Sequence, residues 1–184
     1  MANETTALEA QLRECYARVC WSHKTHEKQA DIYRDKDTSL TWGKIIITSL
    51  AATGGIASLL ASSYWNILSS FFATILLLIN LIFENRNYAN LLNAHRNTAT
   101  QLWVIRESYL SLLTDLHSSD YNIEQILEAR NKLQDDLAAI FESAPRTYNK
   151  AYAQATKALH GSELNFSDDE IDRLLPSALR KGNL

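Results

Sequence analysis

Along most of this chain apolar residues recur at three- and four-residue steps, and in one stretch the polar half of that pattern disappears. Leu8, Leu12, Cys15, Val19, His26, Ala30 and Tyr33 keep the step, with Ser22 filling the gap. That period predicts an amphipathic helix, with Asn3 or Thr5 as its cap. The polar segment RDKDTSL (Arg34 to Leu40) reads as a break after it. From Ile45 to Phe83 there follow 39 residues with no Asp, Glu, Lys, Arg or His. A membrane-crossing helix needs about 20 such residues, so the run predicts two passes on one hairpin, turning near Ser62 to Asn66.

Beyond the run, Leu92, His95, Ala99, Leu102, Arg106, Tyr109, Leu113 and Leu116 step in a heptad seam. No Gly or Pro separates the seam from the second pass. One helix is therefore expected from about Ile67 to Leu116, carrying the second pass into a stalk. His117 to Asp120 reads as a loop. A second amphipathic helix is expected over Asn122 to Ser143, with Ile123, Ile126, Leu127, Leu133, Leu137, Ile140 and Phe141 on its apolar side. A third is expected from Pro145 to His160, ended by Gly161. Ser167 to Glu170 has the form of a capping box opening a short last helix before Pro176. No strand pattern occurs.

The expected fold is thus an all-α membrane protein. A cytoplasmic amphipathic helix (1–41) leads into a transmembrane hairpin (42–84) and a cytoplasmic helical region (85–184). A soluble protein could bury such a hairpin only inside more amphipathic helix than 184 residues supply. A cleaved signal peptide does not fit, because the first 44 residues are polar and charged.

Charge sets the orientation. Lys24, Lys28, Arg34, Lys36 and Lys44 precede the hairpin, Arg86, Arg96 and Arg106 follow it, and the turn carries none. Both termini are therefore expected on the cytoplasmic side of the membrane. Cys15 and Cys20 then lie in a reducing compartment and match no redox motif. The formal net charge of −3 argues against a nucleic-acid surface, so no direct nucleic-acid binding is expected.

Catalytic signatures are missing: there is no GxSxG, Walker A or GxGxxG, and Gly54 and Gly55 sit inside an apolar run. The expectation is a protein that is not an enzyme and needs no cofactor. Cys20, His23, His26 and Glu27 cluster within two turns, but their spacing matches no zinc pattern and no metal is assigned.

Polar residues inside the hairpin carry more. Thr48, Gly55, Ser58 and Ser62 fall on a small or polar stripe of the first pass, and Ser70, Asn80 and Glu84 on one of the second. Such stripes either let helices pack closely or line a water path in an oligomer. They are the candidate pore-lining or helix-packing residues. Leu92, His95, Leu102, Arg106, Tyr109 and Leu113 are the candidate stalk or oligomer seam. Two uncharged helices cannot enclose a pore alone, so conduction would need a homo-oligomer.

The order of elements, with the segments CWSHKTHEKQA (Cys20 to Ala30) and NRNYANLLNAHRNTATQLWVIRESYLSLL (Asn85 to Leu113), resembles the SLATT family over Leu8 to Ile140. These are the two-transmembrane effector domains associated with SMODS nucleotide second-messenger synthetases and SLOG sensors. The resemblance implies an antiviral, abortive-infection effector that breaches the inner membrane when a cytoplasmic partner signals. The activator would be a nucleotide-second-messenger system, a SLOG-type sensor or a reverse transcriptase. The other reading is a non-conducting membrane adaptor that recruits a cytoplasmic protein.

Overall fold

In a computed structural model, residues 2–60, 63–84, 87–118, 122–161, 163 and 167–176 are described, without the side chains of 2–4, 51, 53–60, 63, 65 and 82–84. Six helices and no strand occur among them: α1 (Ala2–Leu60), α2 (Ser63–Glu84), α3 (Tyr88–Leu116), α4 (Ile123–Ser143), α5 (Asn149–His160) and α6 (Asp168–Leu174). The chain divides into two compact units, Met1–Lys28 with Asn97–Leu184, and Gln29–Arg96.

The first unit is a helical bundle around one apolar core. Leu8, Leu12 and Val19 of α1 meet Leu102, Ile105, Tyr109, Leu112 and Leu116 of α3 and Ile126 and Ile140 of α4. On α3 within this unit the buried positions are Thr98, Ala99, Leu102, Ile105, Tyr109, Leu112 and Leu116. They drift off the expected heptad, so that Ile105 and Leu112 take the inner places while Arg106 and Leu113 sit half-buried on the flank. A straight helix repeats every 3.6 residues rather than 3.5, and the inner stripe slides accordingly.

Around this core the helix ends follow local chemistry. Asn122 caps α4, its side chain accepting from the Glu124 N–H at 2.9 Å. Between α4 and α5 the chain is extended from Ala144 to Tyr148, so α5 starts at Asn149 and not at Pro145. Ala144 precedes a proline, which disfavours helical backbone. Gly161 closes α5, its N–H reaching the carbonyls of Lys157 and Ala158. Ser167 and Glu170 form the expected capping box, with Ser167 accepting from the Glu170 N–H and Glu170 from the Ser167 N–H.

The second unit is a helical hairpin. The Tyr33 ring lies 5.8 Å from Tyr88 and 5.5 Å from His95, centroid to centroid. From Tyr33, α1 runs to Leu60, and α2 leads from Ser63 back to Glu84, just before Tyr88. The arm from Tyr33 to Leu60 is about 40 Å of helix and the α2 arm about 33 Å.

Three sequence expectations fail in this unit, each for a local reason. Arg34 to Leu40 does not break: α1 passes straight through. Arg34 pairs with Asp31 at 3.1 Å and Asp35 at 3.6 Å, Thr41 bonds back to the Asp37 carbonyl, and no Gly or Pro interrupts. Tyr64, Trp65 and Asn66 belong to α2, so the expected turn does not extend past Ser62, which lies outside the described residues. The single helix from Ile67 to Leu116 is two helices. Asn87 is non-helical, and its side chain accepts from the Asn90 N–H at 3.0 Å. Asparagine offers the backbone a cap in place of the helical ladder, and a new helix begins there. Asn3 and Thr5 also lie within α1, which starts at Ala2, so neither caps it from outside.

Candidate functional site

The hairpin arms present large apolar side chains outward. Trp42, Ile45, Ile46 and Leu50 on α1 and Ile67, Phe71, Leu77, Leu78 and Leu81 on α2 are all exposed, Ile67 to 70%. Water-soluble surfaces rarely carry an apolar patch of this extent uncovered. Hydroxyls in the same stretch turn inward on their own helix. Ser49 donates to the Ile45 carbonyl and Thr74 to the Ser70 carbonyl, both at 2.8 Å. Such bonds hide a polar group from an apolar surrounding without a partner helix. Among the described residues, no helix is long and apolar enough to cross a membrane. The charge-free run passes through positions 53–63, 65 and 82–83, whose side chains lie outside that set.

Of the expected pore-lining or packing residues, Thr48 and Ser70 are exposed and Asn80 is half-buried. Gly55, Ser58, Ser62 and Glu84 fall outside the described side chains. Counted from the tip, Lys44 stands 16 residues below Leu60 and Asn80 stands 17 beyond Ser63. Each therefore lies about 25 Å along its own helix from that end. Of the expected seam, Leu102 and Tyr109 are fully buried in the first unit and His95 is buried in the second, while Leu92, Arg106 and Leu113 are half-buried. The seam in the first unit is filled from within one chain, by α1 and α4.

At the foot of the hairpin lies a cluster whose members periodicity names in part, as Tyr33 and His95, but does not bring together. Besides its contacts with Tyr88 and His95, Tyr33 has Lys36 over its ring, and the Lys36 Nζ is 5.6 Å from the ring centroids of both Tyr33 and Tyr88. Burial lowers the His95 pKa from its ordinary 6.5. No sequence signal pairs Tyr33 with Tyr88, because they meet only when the hairpin closes.

The first unit holds a polar cluster on α1. His23 is buried, 3.7 Å from Glu27 through Nε2, and burial lowers its pKa against the pull of the Glu27 carboxylate. Lys24 lies 3.1 Å from Glu27 and 2.9 Å from Glu163, which also reaches Lys28 at 3.3 Å. Lys24 lowers the Glu163 pKa first, with Lys28 next. Among the described residues, no group of three or more His, Cys, Asp or Glu could hold a metal. Cys20, His23 and Glu27 are drawn instead into contacts with Tyr16, Arg106 and Lys24.

Beside this cluster a cleft of about 540 Å³ opens between Trp21, His26, Leu137, Phe141 and Tyr152. Trp21 stacks on Tyr152 at 6.1 Å and meets His160 edge-on at 5.8 Å. Tyr109 buries its hydroxyl against Cys15, and burial pushes its pKa up to about 12.

Among the described residues the chain is all-helical, with a hairpin whose large apolar side chains face outward and a helical unit around an apolar core. Residues 8–170 match SMODS and SLOG-associating 2TM effector domain family 4, and the chain belongs to that family. Membership implies a two-transmembrane effector of bacterial conflict systems, associated with SMODS and SLOG partners. No curated protein matches. No solved structure matches either.

Proposed function

We propose that this protein is an inner-membrane effector of an antiviral, abortive-infection system, which oligomerises and breaches the membrane when a cytoplasmic partner or nucleotide signal reaches its helical unit. The observation that carries the reading is the 39-residue charge-free run, folded as a hairpin whose large apolar side chains point outward. Lipid is the solvent that suits such a surface. Helical arms whose ends meet at Tyr33 and Tyr88 put both flanks at the foot of the hairpin. With the positive charge of those flanks, this supports cytoplasmic termini. Thr48, Ser70 and Asn80, with Gly55, Ser58, Ser62 and Glu84, are the positions proposed to line a path or pack copies together. Leu92, His95, Leu102, Arg106, Tyr109 and Leu113 are proposed to carry the signal along α3. The activator is a nucleotide-second-messenger system, a SLOG-type sensor or a reverse transcriptase.

Expression with the native partner should depolarise cells, read with a potential-sensitive dye. If the purified oligomer in vesicles leaks neither ions nor dye under any trigger, pore formation is wrong.

The second reading is a non-conducting adaptor, in which the hairpin only anchors the chain. The back-bonded hydroxyls of Ser49 and Thr74 favour it, because they leave those arms without need of a polar neighbour. Exchanging the hairpin for an unrelated one should preserve adaptor function and abolish a pore.

A further inference from the structure

Within the first unit, α1, α4 and α5 enclose a cleft of about 540 Å³, inside the ~300–1,000 Å³ range of pockets that take small ligands. One wall follows from the local chain chemistry. Because Ala144 precedes Pro145, the backbone stays extended to Tyr148 and α5 starts only at Asn149. From there α5 packs by small side chains, Ala151 and Ala155, both fully buried. Tyr152 is left at the edge with Phe141 of α4, the two being 55% and 46% exposed. Val19 and Leu137 line the cleft from deeper in the unit.

Two features make this wall more than an apolar dent. Tyr152 lies against Trp21 with ring centroids 6.1 Å apart and planes inclined by 30°, a loose stack towards the far end of aromatic pairing. The Trp21 indole N–H is shut off from water and meets no acceptor. A bond left unmade in this way costs free energy in the empty cleft, and an acceptor on a ring inserted beside the indole recovers it. Charge is the second feature. Arg18 stands at the cleft with its side chain 73% exposed, and among the described residues no Asp or Glu lines the space. Its guanidinium pairs with Glu14, one turn back along α1. Ser22 and Thr147 add hydroxyls that serve as donor or acceptor.

We infer that this cleft binds a small ligand built of a flat aromatic ring and one anionic group, the ring seated on Tyr152 and Phe141 beside Trp21 and the anion at Arg18. Aromatic side chains accept any flat ring, because every such ring has a π-face to stack. A guanidinium offers carboxylate or phosphate oxygens two parallel donors. Nucleoside monophosphates and aromatic carboxylates share that chemistry. The site is read from the helical unit alone and depends neither on the hairpin nor on a breach of the membrane.

The test is calorimetric titration of the full chain in detergent micelles, with empty micelles subtracted. Adenosine 5′-monophosphate and anthranilate carry ring and anion together. Adenosine and anthranilamide carry the ring alone, and inorganic phosphate the anion alone. At least one of the first two should bind, and which of them binds names the source of the ligand. Its uncharged counterpart should bind several-fold more weakly, and phosphate should give no heat. Tyr152→Ala should weaken binding about tenfold, the effect of losing one stacking platform. Arg18→Gln should bring the anionic ligand down to its uncharged counterpart, whereas Glu14→Gln, which frees the guanidinium, should tighten it. Trp21→Phe, which keeps a ring and removes the N–H, should cost less than Tyr152→Ala. Tyr152, Arg18 and Glu14 are all exposed, so these variants should keep the helicity of the wild type, which circular dichroism checks. No heat from either ring-bearing anion at millimolar concentration would overturn the site, as would binding that Tyr152→Ala and Arg18→Gln leave unchanged in folded chains. A ligand held equally well with and without its anion would overturn the role of Arg18.

Discussion

Single side chains in this protein act mainly through burial. Leu12 and Leu102 are fully enclosed in the core of the first unit. Truncating either to alanine leaves a cavity among α1, α3 and α4, with an expected loss of about 2–5 kcal/mol, measurable by chemical denaturation in detergent. Buried histidines give the stability a pH dependence. His23 and His95 are both held below the 6.5 they have when free, chiefly by desolvation. His23 faces Glu27, Lys24, Arg106 and Glu107, and their opposing signs leave burial in control. The unfolded chain therefore takes up more protons once pH falls through about 6.5, and stability should drop from there downward. Above pH 7 these two groups are neutral in both states and contribute no slope. A melting series from pH 8 to pH 5 measures it, and His23→Gln should flatten the acid limb. A limb that steepens instead would contradict the burial argument.

At the scale of elements, caps decide where helices stop. Ser167→Ala removes the acceptor for the Glu170 N–H, and α6 should lose about 1 kcal/mol and exchange its first amides faster. Asn87 has the same role with a larger consequence. Asn87→Ala should remove the cap that starts α3 and let α2 and α3 approach one continuous helix, seen as slower amide exchange at Tyr88 to Asn90. The hairpin arms carry their own length argument. From Leu60 back to Lys44 is 16 residues and from Ser63 on to Asn80 is 17, about 25 Å of helix against a hydrocarbon core of ~30 Å. Insertion should accordingly be stronger in thin bilayers than in thick ones, which a lipid chain-length series would register. Asn80→Leu should alter leakage if that position faces water, and leave it unchanged if it packs against a helix.

For the molecule as a whole, the proposed function requires an integral membrane protein with both ends on one side. The chain should stay in the membrane pellet through carbonate extraction, and tags at either terminus should resist protease added to intact spheroplasts. Recovery in the supernatant without detergent would remove the membrane reading altogether. The N-terminal turns of α3 pack on Tyr33, and the remainder of the helix lies in the helical core.

Much of this was legible along the chain. Helical period predicted α4 to within a residue, the capping box predicted α6, and Gly161 marked the end of α5, because these signals act over three or four neighbours. The resemblance carried by Cys20 to Ala30 and Asn85 to Leu113 reached the family that residues 8–170 match. On α3 the buried stripe passes through Ile105 and Leu112 where a strict heptad expects Arg106 and Leu113, since apolar residues flank both columns and the period alone does not say which of two adjacent columns α1 and α4 will cover. Arg34 to Leu40 was misread for a similar reason: its charges look like a loop until Arg34 finds Asp31 on its own helix.

By itself, then, the amino-acid order determined the helical class and the apolar stretch, since each follows from local period or from composition. Which distant side chains meet was decided only by the tertiary structure. Tyr33 and Tyr88 are 55 residues apart and become neighbours through chain reversal; no periodicity reports that, because the encounter depends on two long helices having matched lengths and a break placed at Asn87.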